Sequence, residues 1–419
     1  MPSEFQSQFS QSLECGLQQL TSRDQRRSLA EFTGVNLCSN DYLGLTQNVA
    51  LREALLEAVA SASRVGSTGS RLLSGHAAAW EDLENEFAQF AATEASLYFT
   101  SGYAANIGLI TSFAGPGDLI FSDALNHASL IDGIRLSGAQ KFIYAHLDLD
   151  MLESFLRKEQ HKNGRKFIVT ETIFSMDGDI TPLAEILALA DRYNAGVILD
   201  EAHATAVHGP QGRGIAARHH IQHGRSGNIV AIVHACGKAL ASAGAFVCGS
   251  EMLKEHLINH ARTFIFTTAL PPYIAAQVRA ALRLAQGMDE QRSVLLRNSN
   301  NLRASLRVQG WNIASSKAQI IPVIIGKNES ALSAATFLSQ EGFATRAIRP
   351  PTVPPGTARL RFSLTASISP SDLSRLTACM GQMRNDFRDA RCGSEPMQSA
   401  GTEHDAHESR KAASSAVGR

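Results

Sequence analysis

The sequence predicts an α/β protein with a largely parallel sheet and a second, smaller α/β domain at its C-terminal end. Between about residues 95 and 250, short β-rich runs alternate with helical stretches, which is the pattern of a parallel sheet covered by helices. The 419 residues, of which 44 % are apolar, are enough for two or three domains with a substantial core. The β-rich runs are, in chain order, SLYFT, DLIFSD, KFIYAH, KFIVTET, GVILDEAH, NIVAIVHA and GAFVCG.

The C-terminal domain is predicted from a helical stretch at about 271–307 and from the strand-like runs AQIIPVIIG and ARLRFSL that follow it. The last stretch of the chain is rich in Ser, Ala, Gly and charged residues and poor in large apolar ones, so we expect a disordered tail. His404 and His407 in this tail are weak candidates for metal binding, and no metal site is predicted elsewhere. The predicted division is an N-terminal segment 1–45, a large domain 46–280, a small domain 281–392 and the tail 393–419.

Charge and cysteine content argue against several classes of protein. The 39 basic residues balance the 39 acidic ones, so the chain lacks the positive charge that favours binding of nucleic acid or an anionic membrane. The six cysteines are scattered without a C-x-x-C pair, which argues against a zinc site or a disulfide framework. The N-terminal residues do not resemble a secretory signal, and no run reaches the roughly 18 apolar residues of a membrane span. We therefore expect a soluble cytoplasmic protein that acts on small molecules.

Residues that directly follow the predicted strands are the candidates for function, because α/β sheets bind ligands at the carboxyl ends of their strands. Ser101, Gly102 and Tyr103 follow SLYFT, where a glycine turn and a helix N-terminus favour binding of a phosphate. The alternative is an ordinary strand-to-helix turn without a ligand. His127 follows DLIFSDA and either stacks on a flat cofactor or is a hydrogen-bonded structural histidine.

Two further positions carry groups that suit a pyridine cofactor. Asp200 ends the run GVILD, with His203 three positions later, and its carboxylate either keeps a pyridine nitrogen protonated or caps the next helix. Lys238 follows NIVAIVHACG and precedes small residues, a setting in which desolvation frees a lysine amine for Schiff-base formation. The alternative for Lys238 is a solvated surface lysine, which is the commoner case.

The order and spacing of these residues resemble the α-oxoamine synthases, which are pyridoxal-5′-phosphate (PLP) enzymes of fold type I, the aspartate-aminotransferase-like class. The resemblance extends from about Asn36 to about Met383 and covers most of the chain. It implies a large domain with a mostly parallel seven-stranded sheet and an acyltransferase that joins an amino acid to an acyl thioester with loss of carbon dioxide. The matching segments are SNDYLGL (39–45), GSTGSRLLSGH (66–76), FTSGYAAN (99–106), NHASL (126–130), TETIFSMDGDITPL (170–183), DEAHATAVHGPQGRG (200–214), GKALASAG (237–244) and AIRPPTVPPGTARLRFSLTA (347–366).

By this resemblance the catalytic residues are Lys238, Asp200, His203 and His127. Lys238 should carry the cofactor as a Schiff base and remove the α-proton of the amino acid, while Asp200 should pair with the pyridine nitrogen. His203 should hydrogen-bond the phenolic oxygen of the cofactor, and His127 should stack on its ring. A protonated pyridine ring is the electron sink that this chemistry needs.

The resemblance also implies residues that bind the cofactor and the substrate. Besides the catalytic four, the predicted cofactor-binding residues are Ser101, Gly102, Tyr103, Ser175, Ala235, Thr267 and Thr268. Either threonine would reach the phosphate from the partner subunit, which makes a homodimer the active unit. The predicted substrate-binding residues are Arg361, which suits a carboxylate, and the further candidates Arg349 and Asn40.

Ala235 departs from the family pattern. The family usually has Thr or Ser three residues before the lysine, contacting the phosphate, and here that position is Ala235, preceded by His234. The change removes one hydroxyl donor, and a hydrogen bond to a charged group contributes about 1.5 to 3 kcal/mol. We therefore expect weakened or rearranged phosphate binding, with activity retained.

The C-terminal segment indicates the substrates. Its RPPTVP core and SLTA ending are more similar to the family members that condense L-alanine with a pimeloyl thioester in biotin biosynthesis than to those acting on glycine or serine. The carrier of the pimeloyl group, acyl carrier protein or coenzyme A, stays open. The alternatives are glycine C-acetyltransferase, 5-aminolevulinate synthase, serine palmitoyltransferase and a non-catalytic binding subunit. The last is disfavoured because Lys238 is present.

Overall fold

The computed structural model describes residues 3–31, 33–223 and 228–392; the predicted tail, with His404 and His407, lies outside them. The α-helices are α1 (Glu4–Ser22), α2 (Val49–Ser61), α3 (Ala78–Ala91), α4 (Gly102–Phe113), α5 (Ala128–Ser137), α6 (Leu149–Lys158), α7 (Leu183–Arg192), α8 (Ile215–His223), α9 (Glu251–His260), α10 (Arg262–Ile265), α11 (Tyr273–Gln286), α12 (Asp289–Val308), α13 (Asn328–Gln340) and α14 (Pro370–Cys392). The β-strands are β1 (Val35–Asn36), β2 (Ala95–Phe99), β3 (Leu119–Asp123), β4 (Gln140–Tyr144), β5 (Lys166–Glu171), β6 (Ala195–Asp200), β7 (Ile229–Ala235), β8 (Ala245–Gly249), β9 (Ile320–Gly326), β10 (Phe343–Ala344), β11 (Ala347–Ile348) and β12 (Ala358–Ser363). Two short 3-10 helices span Leu45–Gln47 and Pro210–Gly212.

The central sheet has seven strands in the order β2-β8-β7-β6-β5-β3-β4. The pairs that connect β4, β3, β5, β6 and β7 are parallel. Strand β8 is antiparallel to both β7 and β2. All seven predicted strands lie in this sheet, and the predicted fold class is confirmed.

Both faces of the sheet are largely buried along its inner strands, because successive residues of these strands point to opposite faces and are mostly apolar on both, whereas the edge strand β4 is largely exposed. On β5, Ile168 packs into the core that contains Trp80 of α3, whereas the next residue, Val169, packs into the core that contains Leu109 of α4. Full burial of one such side chain contributes about 1.5 to 3 kcal/mol relative to exposure. The two cores therefore hold the strands rigidly between their helices.

A second sheet, of order β11-β12-β9, is antiparallel and lies in the C-terminal part of the chain. Strands β9 and β12 correspond to the predicted runs AQIIPVIIG and ARLRFSL. The helical stretch predicted at 271–307 is two helices, α11 and α12, separated by Gly287 and Met288. Strand β1 pairs in parallel with β10, so the N-terminal segment is attached to the C-terminal part of the chain. The domain boundaries themselves stay a prediction.

The parallel register brings the carboxyl ends of three strands together. Glu171 at the end of β5 is paired with Asp200 at the end of β6, and Asp200 is paired with Val233 of β7. Lys238 follows β7 after a further three residues. The candidate residues from distant parts of the sequence thus meet at one edge of the sheet.

Candidate active site

Asp200 is a buried carboxylate with both oxygens hydrogen-bonded. Its Oδ2 accepts from Nδ2 of Asn106 at 2.7 Å, and its Oδ1 accepts from the backbone N–H of Ala202 at 2.8 Å. The side chain lies at the end of β6, where the residue is 6 % exposed. Since two donors on different oxygens fix the plane of the carboxylate, Asp200 is oriented as an anionic partner for a cationic group.

His127 is connected to Asp200 through two side chains. Nδ2 of Asn106 also donates to Oγ of Ser129 at 2.9 Å, and this Oγ lies 2.8 Å from Nδ1 of His127. The backbone N–H of Ser129 points at the same Nδ1 at 3.3 Å, because His127 caps the N-terminus of α5. With Nδ1 as acceptor, the neutral imidazole carries its hydrogen on Nε2. Desolvation lowers the pKa of His127 although the residue keeps exposed surface, as expected for an imidazole that lines a cleft.

Lys238 lies among these groups. Desolvation lowers the pKa of its ammonium, and the charges of Asp200 and Glu171 act in the opposite direction without cancelling the effect. The residue has intermediate solvent exposure, so it lines a cleft and is not sealed in the core. A lowered pKa increases the fraction of neutral amine, which is the nucleophilic form of a lysine.

Glu171 was not singled out in the sequence, and the structure places it beside Asp200. Burial raises the pKa of Glu171 well above its usual range, and the negative charge of Asp200 raises it further. Its Oε2 accepts the backbone N–H of Ser175 at 3.2 Å, whereas its buried Oε1 has no hydrogen-bond partner in the part of the chain that the structure describes. These conditions favour the protonated, neutral acid.

His203 is buried and neutral. Its Nδ1 lies 2.6 Å from the hydroxyl of Tyr42, and its carbonyl accepts from Nε2 of Gln319 at 2.8 Å. Burial lowers the pKa of His203 well below its usual range, and the positive charges of Lys238 and Arg361 lower it further. The sequence predicted His203 at this site with the cofactor as the partner of its ring, but it gave no partner for the ring within the protein.

Arg361 enters the site from the second sheet, on β12. Its Nε donates to the carbonyl of Ser175 at 2.5 Å, and both terminal nitrogens lie 3.3 Å from Oδ1 of Asn40. It is buried, yet no carboxylate of residues 3–31, 33–223 or 228–392 forms an ion pair with it. A buried guanidinium without an acidic partner is suited to bind the carboxylate of a ligand.

Arg349 makes its hydrogen bonds at a different place. It donates to the backbone carbonyls of Asp24 and Arg26, in the segment that follows α1. Desolvation lowers the pKa of Arg349, and the positive charge of Arg27 adds to this. Of the two predicted arginines, Arg361 is therefore the one that the structure brings to Asn40 and Ser175, and a substrate role for Arg349 stays a prediction.

The predicted phosphate site is the N-terminus of α4. Ser101 caps this helix, because its Oγ accepts the backbone N–H of Ala104 at 3.1 Å. The N–H groups of Gly102 and Tyr103 belong to the first turn and have no acceptor among the described residues. A Cβ on Gly102 would lie 3.8 Å from Cβ of Ala235, so the methyl group of Ala235 borders the same place. Free N–H groups at the positive end of a helix favour an anion.

The two predicted threonines differ in exposure. Thr267 is half-buried and lines a small cavity of its own chain together with Arg71 and Thr100. Thr268 is exposed. Thr268 is therefore the more accessible of the two to a partner subunit, and the role of either threonine there stays a prediction.

Comparison with known proteins assigns the family. The family described as aminotransferase class I and II matches residues 33–378. The 8-amino-7-oxononanoate synthase of Burkholderia thailandensis is 46 % identical over 352 residues, which are 83 % of this chain and 88 % of the relative. That of an Azoarcus strain is 44 % identical over 348 residues, 83 % of this chain and 87 % of the relative. The chain belongs to the class I and II aminotransferase family, in its 8-amino-7-oxononanoate synthase branch. The predicted family is confirmed.

Solved structures of this family share the fold. The serine palmitoyltransferase of S. paucimobilis, with PLP and myriocin bound, superposes with a TM-score of 0.82 at 27 % identity, over 92 % of this chain and 100 % of that chain. The 8-amino-7-oxononanoate synthase of Francisella tularensis has a TM-score of 0.73 at 27 % identity, over 85 % of this chain and 99 % of that chain. The two enzymes have different names but the same sequence identity to this chain, so their structures establish the fold and do not distinguish the branch. The sequence relatives establish the branch.

Three residues of the site were not singled out from the sequence: Tyr42, Asn106 and Glu171. Each lies in a segment that carries the family resemblance. Glu171 also lies at the end of a predicted strand, paired with Asp200. The rule that polar residues at the carboxyl ends of strands are candidates for function could therefore have identified Glu171 as well. Tyr42 and Asn106 act through partners more than 90 residues away in the chain, and no local pattern identifies those partners.

Proposed function

We propose that this chain condenses L-alanine with a pimeloyl thioester, with loss of carbon dioxide, to give 8-amino-7-oxononanoate in biotin biosynthesis. The observation that carries the proposal is the 44 to 46 % identity, over 83 % of the chain, with relatives of that name. The enzyme class is a PLP-dependent acyltransferase. Family membership and the PLP held by solved relatives bear out the predicted enzyme class and cofactor.

The groups at the carboxyl ends of the strands fit PLP part by part. Lys238 offers an amine with a lowered pKa, and Asp200 offers a carboxylate held by two donors. The free N–H groups at the start of α4 suit the phosphate, and the neutral ring of His203 suits the phenolic oxygen. When bound, PLP supplies an electron sink for negative charge at the Cα atom of the amino acid.

The protein itself must bind the amino acid and move its α-proton. Arg361 holds the substrate carboxylate with a planar pair of donors, because no acid of the described residues neutralises it. Lys238 is the base, since a lysine whose pKa is lowered toward the working pH accepts a proton efficiently. Asp200 stabilises positive charge on the ring nitrogen of the cofactor.

A cavity of about 430 Å³ beside the site suits the pimeloyl chain. It includes Asn126, which precedes His127, and Phe174 and Met176, which flank Ser175. Its only described charged side chains, Arg359 and Asp177, pair with each other at 2.5 Å, so the lining offers mainly apolar surface. Such a lining fits the methylene groups of the pimeloyl chain.

The test is a condensation assay on the purified holoenzyme. L-Alanine, glycine and L-serine are each combined with pimeloyl-coenzyme A, pimeloyl-acyl carrier protein and palmitoyl-coenzyme A, and the amino ketone is identified by mass spectrometry. We expect 8-amino-7-oxononanoate from L-alanine and a pimeloyl thioester, and none from the Lys238→Ala variant. A preference for L-serine with the palmitoyl thioester would contradict the proposal, and a wild-type protein that binds no PLP would favour a non-catalytic subunit.

A homodimer in the cytoplasm completes the proposal. Thr268 is exposed two positions after Phe266, whose side chain is 70 % exposed, so a partner subunit that uses Thr268 would also cover this apolar ring. Five cysteines are free thiols, as is usual in a reducing compartment: Cys15, Cys38, Cys236, Cys248 and Cys379. Among the described residues, no helix has both the length and the apolar character needed to cross a membrane.

A further inference from the structure

Tyr42 lies completely buried next to His203 and has no role in the reaction as described so far. Its hydroxyl is 2.6 Å from Nδ1 of His203 and 3.1 Å from Oδ1 of Asn40. A hydroxyl has one hydrogen to donate, so Tyr42 donates either to the imidazole or to the amide. The choice determines which nitrogen of His203 carries the hydrogen of the neutral ring.

The surroundings of Asn40 decide between these two possibilities. Its Oδ1 also lies 3.3 Å from both terminal nitrogens of Arg361 and 3.2 Å from Oγ of Ser363. A guanidinium can only donate, and a carbonyl oxygen has two lone pairs, so the donors of Arg361 and Ser363 occupy the acceptor capacity of Asn40. The hydrogen of Tyr42 is then left for Nδ1 of His203, in agreement with the shorter of the two distances.

The protonation states of both rings are consistent with this assignment. Burial raises the pKa of Tyr42, which keeps its hydrogen, and lowers the pKa of His203, which stays neutral. A neutral imidazole that accepts at Nδ1 has its hydrogen on Nε2. The hydrogen bond that the ring of His203 makes within the described residues is at Nδ1, which leaves the N–H at Nε2 for a ligand.

We propose that Tyr42 is a positioning residue that holds His203 as the Nε2–H tautomer, and that Asn40 couples this hydrogen bond to Arg361. The inference rests on the proposed function, because it takes the phenolic oxygen of PLP as the acceptor of Nε2–H and Arg361 as the carboxylate site. When a substrate carboxylate takes the donors of Arg361, Asn40 regains acceptor capacity and competes with His203 for the hydrogen of Tyr42. Binding of a substrate carboxylate thus weakens the hydrogen bond between Tyr42 and His203. With it weakens the hydrogen bond from Nε2 of His203 to the cofactor.

The first test compares Tyr42→Phe with the wild-type holoenzyme. The visible absorbance of the bound cofactor is titrated with pH, because a donor to the phenolic oxygen stabilises its anionic form. Loss of a well-placed donor should move the midpoint upward by about one pH unit. Tyr144→Phe is the matched control, since Tyr144 is a buried tyrosine on β4, at the sheet edge remote from β6, and should titrate as the wild type does.

The tautomer itself is read from the ¹⁵N resonances of His203 in histidine-labelled holoenzyme, assigned with His203→Gln. The wild type and Tyr144→Phe should show hydrogen on Nε2, and Tyr42→Phe should show a mixture. A midpoint and a tautomer in Tyr42→Phe that equal those of the wild type would overturn the inference. Failure of the proposed function would appear separately, as a normal tautomer in a protein that does not condense L-alanine with a pimeloyl thioester.

The coupling to Arg361 is tested with propionate, a carboxylate that has no amine. In the wild type, propionate should shift the visible band, and in Tyr42→Phe the shift should be lost. Should Tyr42→Phe fail to fold, Ser363→Ala replaces it, because removal of one donor to Asn40 should move the pH midpoint in the same direction by a smaller amount. Propionate that competes with L-alanine but leaves the wild-type spectrum unchanged would refute the coupling.

Discussion

Single residues of the site depend on one another for their protonation. Burial raises the pKa of Glu171 and lowers the pKa of Lys238, so desolvation favours the neutral form of both groups. The positive charge of Arg361 acts on Lys238 in the same direction. Besides this acid and this amine, the site contains Asp200 and Arg361, which we propose pair with the cofactor ring and with the substrate carboxylate.

Ala235 borders the start of α4 without a hydroxyl group. We expect Ala235→Thr to bind PLP about tenfold to a hundredfold more tightly, because a hydrogen bond to the phosphate would be added. Ala235→Val has the same shape without the hydroxyl and should show no gain. Titration of the cofactor-free protein with PLP, followed by absorbance, measures the three dissociation constants. Equal affinity of the Thr variant and the wild type would mean that this position takes no part in phosphate binding.

Arg361 and Arg349 are distinguished by their partners. Arg361→Lys keeps the charge but loses the planar fork of donors, so KM for L-alanine should rise by about tenfold to a hundredfold while PLP stays bound. Arg349→Lys is the control, because Arg349 bonds to the carbonyls of Asp24 and Arg26. Steady-state kinetics with varied L-alanine measure KM for both variants. A larger rise in KM for Arg349→Lys than for Arg361→Lys would assign the substrate carboxylate to Arg349.

At the scale of elements, one imidazole connects three parts of the large sheet. His146 follows β4; its Nδ1 is 2.9 Å from Asp123 at the end of β3, and its Nε2 is 2.7 Å from Asp179 in the loop after β5. Desolvation opposes protonation, but the hydrogen bonds and charges of the two carboxylates outweigh it and raise the pKa of His146 to about 10. The loop that carries Ser175 is thus fixed to the sheet by a charged bridge.

The bridge makes stability depend on pH. The pKa of His146 is higher in the folded chain, about 10, than its ordinary value of 6.5, so its stabilisation is complete below pH 6.5 and is lost as the pH rises to 10. We expect the free energy of unfolding to fall by on the order of 3 kcal/mol across this range because of His146. Urea unfolding of the wild type and His146→Gln at several pH values isolates this contribution, since other titrating groups cancel in the difference. If the free energy of unfolding changed with pH by the same amount in both proteins, the His146 bridge would be excluded as the source of the pH dependence.

At the scale of the whole molecule, one protomer leaves apolar surface uncovered. Helix α1 carries a row of large apolar side chains at spacings of three or four residues, and none of its residues is buried. The row consists of Phe5, Phe9, Leu13, Leu17 and Leu20. We expect a second copy of the chain to cover this surface if the proposed homodimer forms.

Complementation between subunits tests whether the homodimer shares its sites. Thr268→Val should weaken PLP binding by about tenfold, because a hydrogen bond to the phosphate is lost. In the mixed dimer, one chain carries Thr268→Val and the other carries Lys238→Ala. One of the two sites then combines Lys238 of the first chain with Thr268 of the second. That site should have wild-type PLP affinity and activity. Purification with two different tags and a PLP titration measure this. A mixed dimer with only the weak affinity of the Thr268 variant would place the threonine within its own subunit.

Local features of the sequence were sufficient for the seven strands, whereas the candidate site residues were selected with the help of the family resemblance. The strands were predictable because each is a short apolar run bounded by polar or small residues. Asp200 and Lys238 were candidates because they lie at or just after the end of such a run, and a parallel sheet brings the ends of its strands to one edge. The break between α11 and α12 was missed, since the apolar pattern continues on both sides of Gly287.

The sequence by itself determined the fold class, the family and the candidate residues of the site, because these depend on short apolar runs and on motifs of fixed spacing. Only the tertiary structure decided which neighbours set their chemistry: Asn106 for Asp200, Tyr42 for His203, and Asn40 for Arg361. It also separated Arg361 from Arg349, which lie only twelve positions apart. The physical reason is that burial and hydrogen bonding act between atoms a few ångströms apart, whatever their separation along the chain.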